Sequence, residues 1–193
     1  MTKIHLPRVV GVHGVARSGK DTIGEGLAKH GYERVSFADP MRRALYKMDM
    51  IIGADTKGRL WRLAEVVDDI GWDDAKTAMD SEPRRLLQVF GTEVGRDMFG
   101  ENFWVDQALK IVNARPEQRF VFTDVRFENE VEAVRNLPDS YLLKVERPGV
   151  VSINGHSSDR SLPNHLFDSS VMNDDTIEYL HATVLDHLRW VHG

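Results

Sequence analysis

The sequence predicts an α/β fold built on a central parallel sheet of about five strands. Three observations lead there. A glycine-rich, lysine-ended loop follows a short apolar run and opens a helix-like segment. Further apolar runs of strand length alternate with stretches of helical spacing. One of them, Phe120-Val-Phe-Thr-Asp124, is almost continuously apolar and ends in an acid, the pattern of a parallel strand covered on both faces. Such alternation implies helices above and below the sheet, with ligand expected beyond the carboxyl ends of the strands.

In chain order, residues 8–12 give the first strand and Asp21 to His30 the first helix, closed by Gly31. Gly24 and Gly26 inside that helix imply close packing on the sheet. Arg34-Val-Ser-Phe37 reads as the second strand, and Pro40 opens a second helix in which Met41, Ala44, Leu45 and Met48 keep helical spacing. From about Asp49 to Asn113 strand signals vanish, and residues 59–70, 83–99 and 102–113 read as helices. Strands return at residues 120–124, 141–146 and 169–172, with a helix at 129–136 between the first two. Residues 147–166, rich in Pro, Gly, Ser and Asn, read as a long loop. Asp174 or Asp175 is the expected cap of a closing helix in which Ile177, Leu180, Val184, Leu185 and Leu188 repeat.

Composition narrows the function. A chain of 193 residues suits one domain, and 41% hydrophobic with 28% charged residues is ordinary for a soluble globular protein. A net charge of −5 argues against a partner bound by neutralising many phosphates, so no nucleic acid is expected. The absence of cysteine excludes disulfides and thiol nucleophiles and fits a reducing cytoplasm. No secretory signal and no apolar run near the ~20 residues of a membrane span are present, so no membrane partner is expected. The eight histidines show no metal-ligand spacing with a carboxylate.

Gly14, four residues, then Gly19-Lys20 fits G-x-x-x-x-G-K-[ST] at all but its last position, where Asp21 precedes Thr22. Inward-turned backbone N–H groups, the helix N-terminus and the lysine together favour a polyphosphate. Gly14, Arg17, Ser18, Gly19, Lys20, Asp21 and Thr22 are therefore the expected nucleotide-binding residues. Asp124, at a strand end, is the expected organiser of Mg²⁺, with Asp21 in its outer shell. Asp39 suits a helix N-cap as well as a substrate contact. Arg42, Arg43, Arg84, Arg85, Arg96 and Arg126 are candidates for gripping an acceptor phosphate, because the guanidinium fork pairs bidentately with phosphate oxygens. Phe37 and Trp104 suit either a base platform or plain core. In the long loop, Arg147 and Arg160 are candidates for reaching the phosphates. Trp61, Trp72 and Trp104 suit either a core or a homodimer surface.

Taken together, Gly19-Lys-Asp-Thr22, Ser36-Phe-Ala-Asp-Pro40, Leu87-Gln-Val-Phe-Gly-Thr-Glu93 with Arg96 and Trp104, Thr123-Asp-Val-Arg-Phe-Glu-Asn-Glu130 and Asn173-Asp-Asp-Thr-Ile177 resemble the deoxynucleoside monophosphate kinases of tailed bacteriophages. The likeness runs from about Val9 to the final helix. It implies a three-layer P-loop kinase fold in a single domain. Its core would be residues 1–48 and 115–193, its helical monophosphate-binding insertion about 49–114, and its lid about 147–166. It also implies transfer of the γ-phosphoryl of ATP to a deoxynucleoside monophosphate, with Mg²⁺, in the cytoplasm of an infected host. By this likeness Gly14, Gly19, Lys20, Asp21 and Thr22 match the ATP loop. Asp39, Arg42, Arg96, Trp104, Asp124 and Arg126 match positions around the acceptor, with Lys20, Arg126, Asp39 and Asp124 the expected catalytic set. The lid carries His156-Ser-Ser-Asp159 where the family often has His-x-Ser-Glu, so the acid is shorter by a methylene. The alternatives are a dephospho-coenzyme A kinase, whose hydroxyl acceptor would need Asp39 as base, and a nucleotide-binding regulatory module without turnover.

Overall fold

The computed structural model describes residues 5–150 and 162–190. Its elements in chain order are β1 (Val9–His13), α1 (Lys20–Ala28), β2 (Tyr32–Val35), α2 (Asp39–Met48), β3 (Ile51–Ala54), β4 (Leu60–Arg62), α3 (Leu63–Ala75), α4 (Glu82–Val89), a π-helix (Phe90–Met98), α5 (Phe103–Asn113), β5 (Arg119–Val125), α6 (Glu128–Arg135), β6 (Ser140–Glu146), β7 (Ser169–Met172) and α7 (Ile177–Trp190). The chain divides into two compact units, Met1–Phe37 with Leu109–Gly193, and Ala38–Ala108.

The first unit is the α/β body. Its five strands lie in the order β2-β5-β1-β6-β7, and every pairing is parallel. Alternation along β1 sends Val10 and Val12 to one face, where they meet Ile23 and Leu27 of α1 and Leu180, Val184 and Leu188 of α7. On the opposite face Gly11 lies against Leu142 and Val134 of α6, so close that an added Cβ would sit 2.8 Å from the Leu142 side chain. Helices thus cover both faces, as the fold class requires. Gly24 packs on the sheet as expected, where a Cβ would meet Thr123 at 2.7 Å. Gly26 instead packs on α7, against the His181 ring.

The second unit is built on Leu45, Ile52, Leu63, Val66 and Ala75, with Met41, Trp61, Trp72, Leu86, Leu87 and Phe90 packed around them. Trp61 and Trp72 are therefore part of a core. Strand signals do not vanish here: β3 and β4 form an antiparallel hairpin, and α3 begins only at Leu63. Its turn is set by Asp55, whose carboxylate accepts the N–H groups of Lys57 (2.8 Å) and Arg59 (2.9 Å), while the Arg59 guanidinium lies 4.3 Å from the Trp61 ring. Strands of four and three residues are too short for a period-2 pattern to register. The expected single helix over 83–99 is α4 followed by the π-helix.

Several boundaries shift by a residue or two, and two of the differences have a visible cause. The second strand is Tyr32–Val35, because the Phe37 N–H turns to the Asp124 side chain instead of continuing the ladder. The cap of α7 is Thr176, whose hydroxyl accepts the Tyr179 N–H at 3.2 Å, while the Asp175 carboxylate accepts the Thr176 N–H at 2.7 Å.

Candidate active site

In the α/β unit the loop between β1 and α1 is held from three sides. Within it, the Lys20 ammonium donates to the carbonyls of Gly14 (2.7 Å) and Val15 (2.8 Å). From below, the Ser18 side chain is fully buried, and a Cβ on Gly14 would overlap its Oγ and stand 2.6 Å from the Val145 carbonyl. Only glycine fits there. From the end of β7, the Asn173 amide donates to the Ser18 carbonyl at 2.8 Å. Arg17 and Gly19 both take positive φ (66° and 109°), which turns successive N–H groups inward at the start of α1. The result is an anion cradle at a helix N-terminus. Asp21, in the first turn, is paired with the Arg34 guanidinium, and its side chain is 76% exposed. Thr22 offers its carbonyl to His181 at 2.8 Å.

Asp124 is the next-to-last residue of β5. Its carboxylate accepts the Ser36 hydroxyl and the Phe37 N–H (3.1 Å), which fixes its oxygens beside the end of β2. The turn after it is tied from two sides by residues that spacing rules did not single out. Glu130, buried on α6, accepts the N–H groups of Arg126 (2.7 Å) and Phe127 (3.1 Å). That is the N3 carboxylate of a capping box reaching back to the N-cap backbone, with Phe127 in place of the Ser or Thr that would have signalled it in the sequence. His13, 2% exposed, shares Nδ1 with the Val125 carbonyl at 2.8 Å and Nε2 with the Leu162 N–H at 3.1 Å. An N–H donor facing Nε2 and a carbonyl facing Nδ1 define the neutral, Nδ1-protonated ring. Burial pushes its pKa below the ordinary value, and Lys144, Lys20 and Arg126 act in the same direction against the favourable Val125 bond. His13 also marks where the β1–β5 register shifts, so its side chain takes a bond the ladder leaves. Arg126 itself is exposed.

In the helical unit Asp39 is the first residue of α2, not its cap, which is Ala38. Arg42 stands one turn on, 3.5 Å from the Asp39 carboxylate, and its buried Nε has no partner among the described residues. Arg96 lies in the π-helix. Neither expected base platform is open. Phe37, in the α/β unit, is buried and stacked on Phe122 (4.5 Å). Trp104, 9% exposed, donates its indole N–H to the Gly91 carbonyl at 2.9 Å and packs beside Phe90 and Phe103. Both side chains are core. Arg147 lies just beyond β6 and is exposed. His156, Asp159 and Arg160 lie outside the described residues.

Among the described residues no three or more His, Asp or Glu side chains converge as a metal cage. Mg²⁺ in phosphoryl transfer asks for less, one or two carboxylates plus substrate phosphates, and an oriented strand-end carboxylate such as Asp124 fits that donor set.

The profile of a family described as deoxynucleotide monophosphate kinase matches residues 73–184, more than half of the chain. A protein of Acanthamoeba polyphaga mimivirus, provisionally named deoxynucleotide monophosphate kinase, is 28% identical over 193 residues, covering 92% of this chain and 94% of the relative. The deoxynucleotide monophosphate kinase of Escherichia phage RB69 is 30% identical over 109 residues, 55% of this chain and 44% of that protein. Among solved structures, the APS kinase CysC of Mycobacterium tuberculosis, in complex with AMPPNP and APS, aligns over 95% of this chain and 98% of its own. Its identity is 13% and its TM-score 0.48.

Proposed function

The chain belongs to the deoxynucleotide monophosphate kinase family, and from that premise we propose that it transfers the γ-phosphoryl of ATP to a deoxynucleoside monophosphate, giving ADP and the diphosphate. The observation that carries this is the cradle at the start of α1, with the Lys20 ammonium resting on the Gly14 and Val15 carbonyls. A bound triphosphate offers Lys20 charged oxygens in place of those neutral carbonyls, a stronger type of bond.

The attacking group is an oxygen of the acceptor phosphate, already largely dianionic at neutral pH because its second pKa is about 6. No strong base is required. Catalysis is then alignment and charge neutralisation. Lys20 and the backbone N–H groups of the loop, except that of Ser18, which donates to the Val15 carbonyl at 3.2 Å, hold the donor phosphates. Arg42 and Arg96 grip the acceptor phosphate through their forks, and Asp39 orients Arg42. Arg126, on a turn fixed by Glu130 and His13, spreads charge on the transferring group. Asp124 would hold Mg²⁺, with Asp21, already compensated by Arg34, reaching it only through water. Bound there, the ion would neutralise charge on the transferring phosphates. Arg147, His156 and Arg160 are the groups proposed to close over the phosphates. On this reading the enzyme supplies DNA precursors in the host cytoplasm. No helix among the described residues is long and apolar enough to cross a membrane.

The test is an acceptor panel. ADP release should require a deoxynucleoside monophosphate, and Asp39→Asn should lower kcat by no more than about tenfold, since no base is removed. Turnover confined to dephospho-coenzyme A, abolished by Asp39→Asn, would move the acceptor to a hydroxyl. ATP binding without ADP formation on any acceptor would reduce the chain to a binding module.

A further inference from the structure

We infer that Trp104 is a positioning residue that fixes the π-helical turn bearing Arg96, an inference that rests on Arg96 gripping the acceptor phosphate. A nine-residue π-helix is rare, and such helices concentrate at functional sites. In this geometry each N–H bonds the carbonyl five residues back, so the Gly91 carbonyl is the partner of Arg96's own N–H. The same carbonyl accepts the Trp104 indole N–H at 2.9 Å. One oxygen therefore joins the Arg96 backbone to α5.

Two glycines allow this grip. A Cβ on Gly95, the residue before Arg96, would overlap the indole Nε1 and stand 2.5 Å from Cε2, so the ring edge lies directly on the helix backbone. A Cβ on Gly91 would stand 2.7 Å from the Met41 Sδ. Met41 belongs to α2 and adjoins Arg42. The turn is thus held by α5 through Trp104 and by α2 through Met41, and α2 is the helix that presents Asp39 and Arg42. Trp104 is itself immobilised, edge-on to Phe103 (4.8 Å) and tilted against Phe90 (5.4 Å). With its ring buried and its N–H taken, the indole acts on the acceptor through Arg96 and not by stacking on a base.

The test is steady-state kinetics of Trp104→Phe, Gly95→Ala and Arg96→Ala against each of four deoxynucleoside monophosphates and ATP, with the melting temperature of each variant. Trp104→Phe removes the N–H and keeps an aromatic ring. It should raise KM for every monophosphate by about three- to tenfold, the equivalent of one hydrogen bond, by the same factor for each base, with KM for ATP unchanged. Gly95→Ala should act in the same direction and more strongly; if it does not fold, Trp104→Phe decides alone. A factor that depends on the base would overturn the inference in favour of stacking. An unchanged KM with a lower melting temperature would reduce Trp104 to core. An Arg96→Ala variant with unaltered KM, or a wild type without monophosphate turnover, would remove the acceptor reading and this inference with it. A raised KM in Arg96→Ala alone would remove only the role of Trp104.

Discussion

In the α/β unit the groups around the phosphate loop are fixed by buried partners, Ser18 beneath Gly14 and Glu130 and His13 behind the Arg126 turn, with the half-buried Asn173 on the loop itself. In the helical unit the half-buried Asp39 and Arg42 lean on each other, and the order around Arg96 comes from the backbone, through a π-helix clamped at two glycines. On the proposed reaction the α/β unit holds the donor phosphates and the helical unit the acceptor. Every triphosphate donor has the same phosphates, so a rigid cradle costs nothing in range.

That contrast can be broken by separating the two substrates. The largest effect should come from Lys20→Ala, which removes the charge from the cradle; kcat should fall by about 10³-fold in a coupled ADP assay, with the far-UV circular dichroism unchanged. Near-native activity would take the loop out of the mechanism. Next, Arg42→Lys keeps the charge and loses the fork. It should raise KM for the monophosphate about tenfold and leave KM for ATP within twofold, measured by crossed substrate titrations. A larger effect on ATP would merge the two sites into one. Gly14→Ala should cost about 2 kcal/mol of stability in urea unfolding, because Ser18 and the Val145 carbonyl have no room to retreat.

The smallest effect sharpens the contrast through pH. His13 has a folded pKa below its ordinary value of 6.5. As pH falls through 6.5 the unfolded chain takes up that proton and the folded chain does not. Stability therefore declines with falling pH until the folded pKa is reached, where this contribution levels off. Urea titrations from pH 7.5 downward should show a shallower decline in His13→Gln than in the wild type. Equal slopes would mean that the ring is not held neutral.

The α/β unit was open to sequence reading because its signals are local and strong. A strand buried on both faces shows as an unbroken apolar run, and the loop from Gly14 to Lys20 carries its geometry in its glycines. Pro40 and the Leu180-Val184-Leu188 spacing announced their helices in the same way. In the helical unit the hairpin of Ile51–Ala54 and Leu60–Arg62 is too short to show a period, and the π-helix has a spacing that a search at 3.6 residues reads as ordinary α-helix. Trp104 was ambiguous for a different reason. Its partner is the backbone of Gly91, and no rule of spacing predicts a side chain that bonds a carbonyl thirteen residues away. His13 and Glu130 were hidden likewise, since a buried polar residue is recognised only when its partners are known.

The central claim is that one chain joins a triphosphate donor to a monophosphate acceptor. The direct measurement follows γ-labelled ATP by phosphorus NMR in the presence of Mg²⁺ and a single deoxynucleoside monophosphate. The account predicts that the label becomes the β-phosphorus of the deoxynucleoside diphosphate, at a rate that depends on Lys20. Label released only as inorganic phosphate, or retained on ATP, would contradict it.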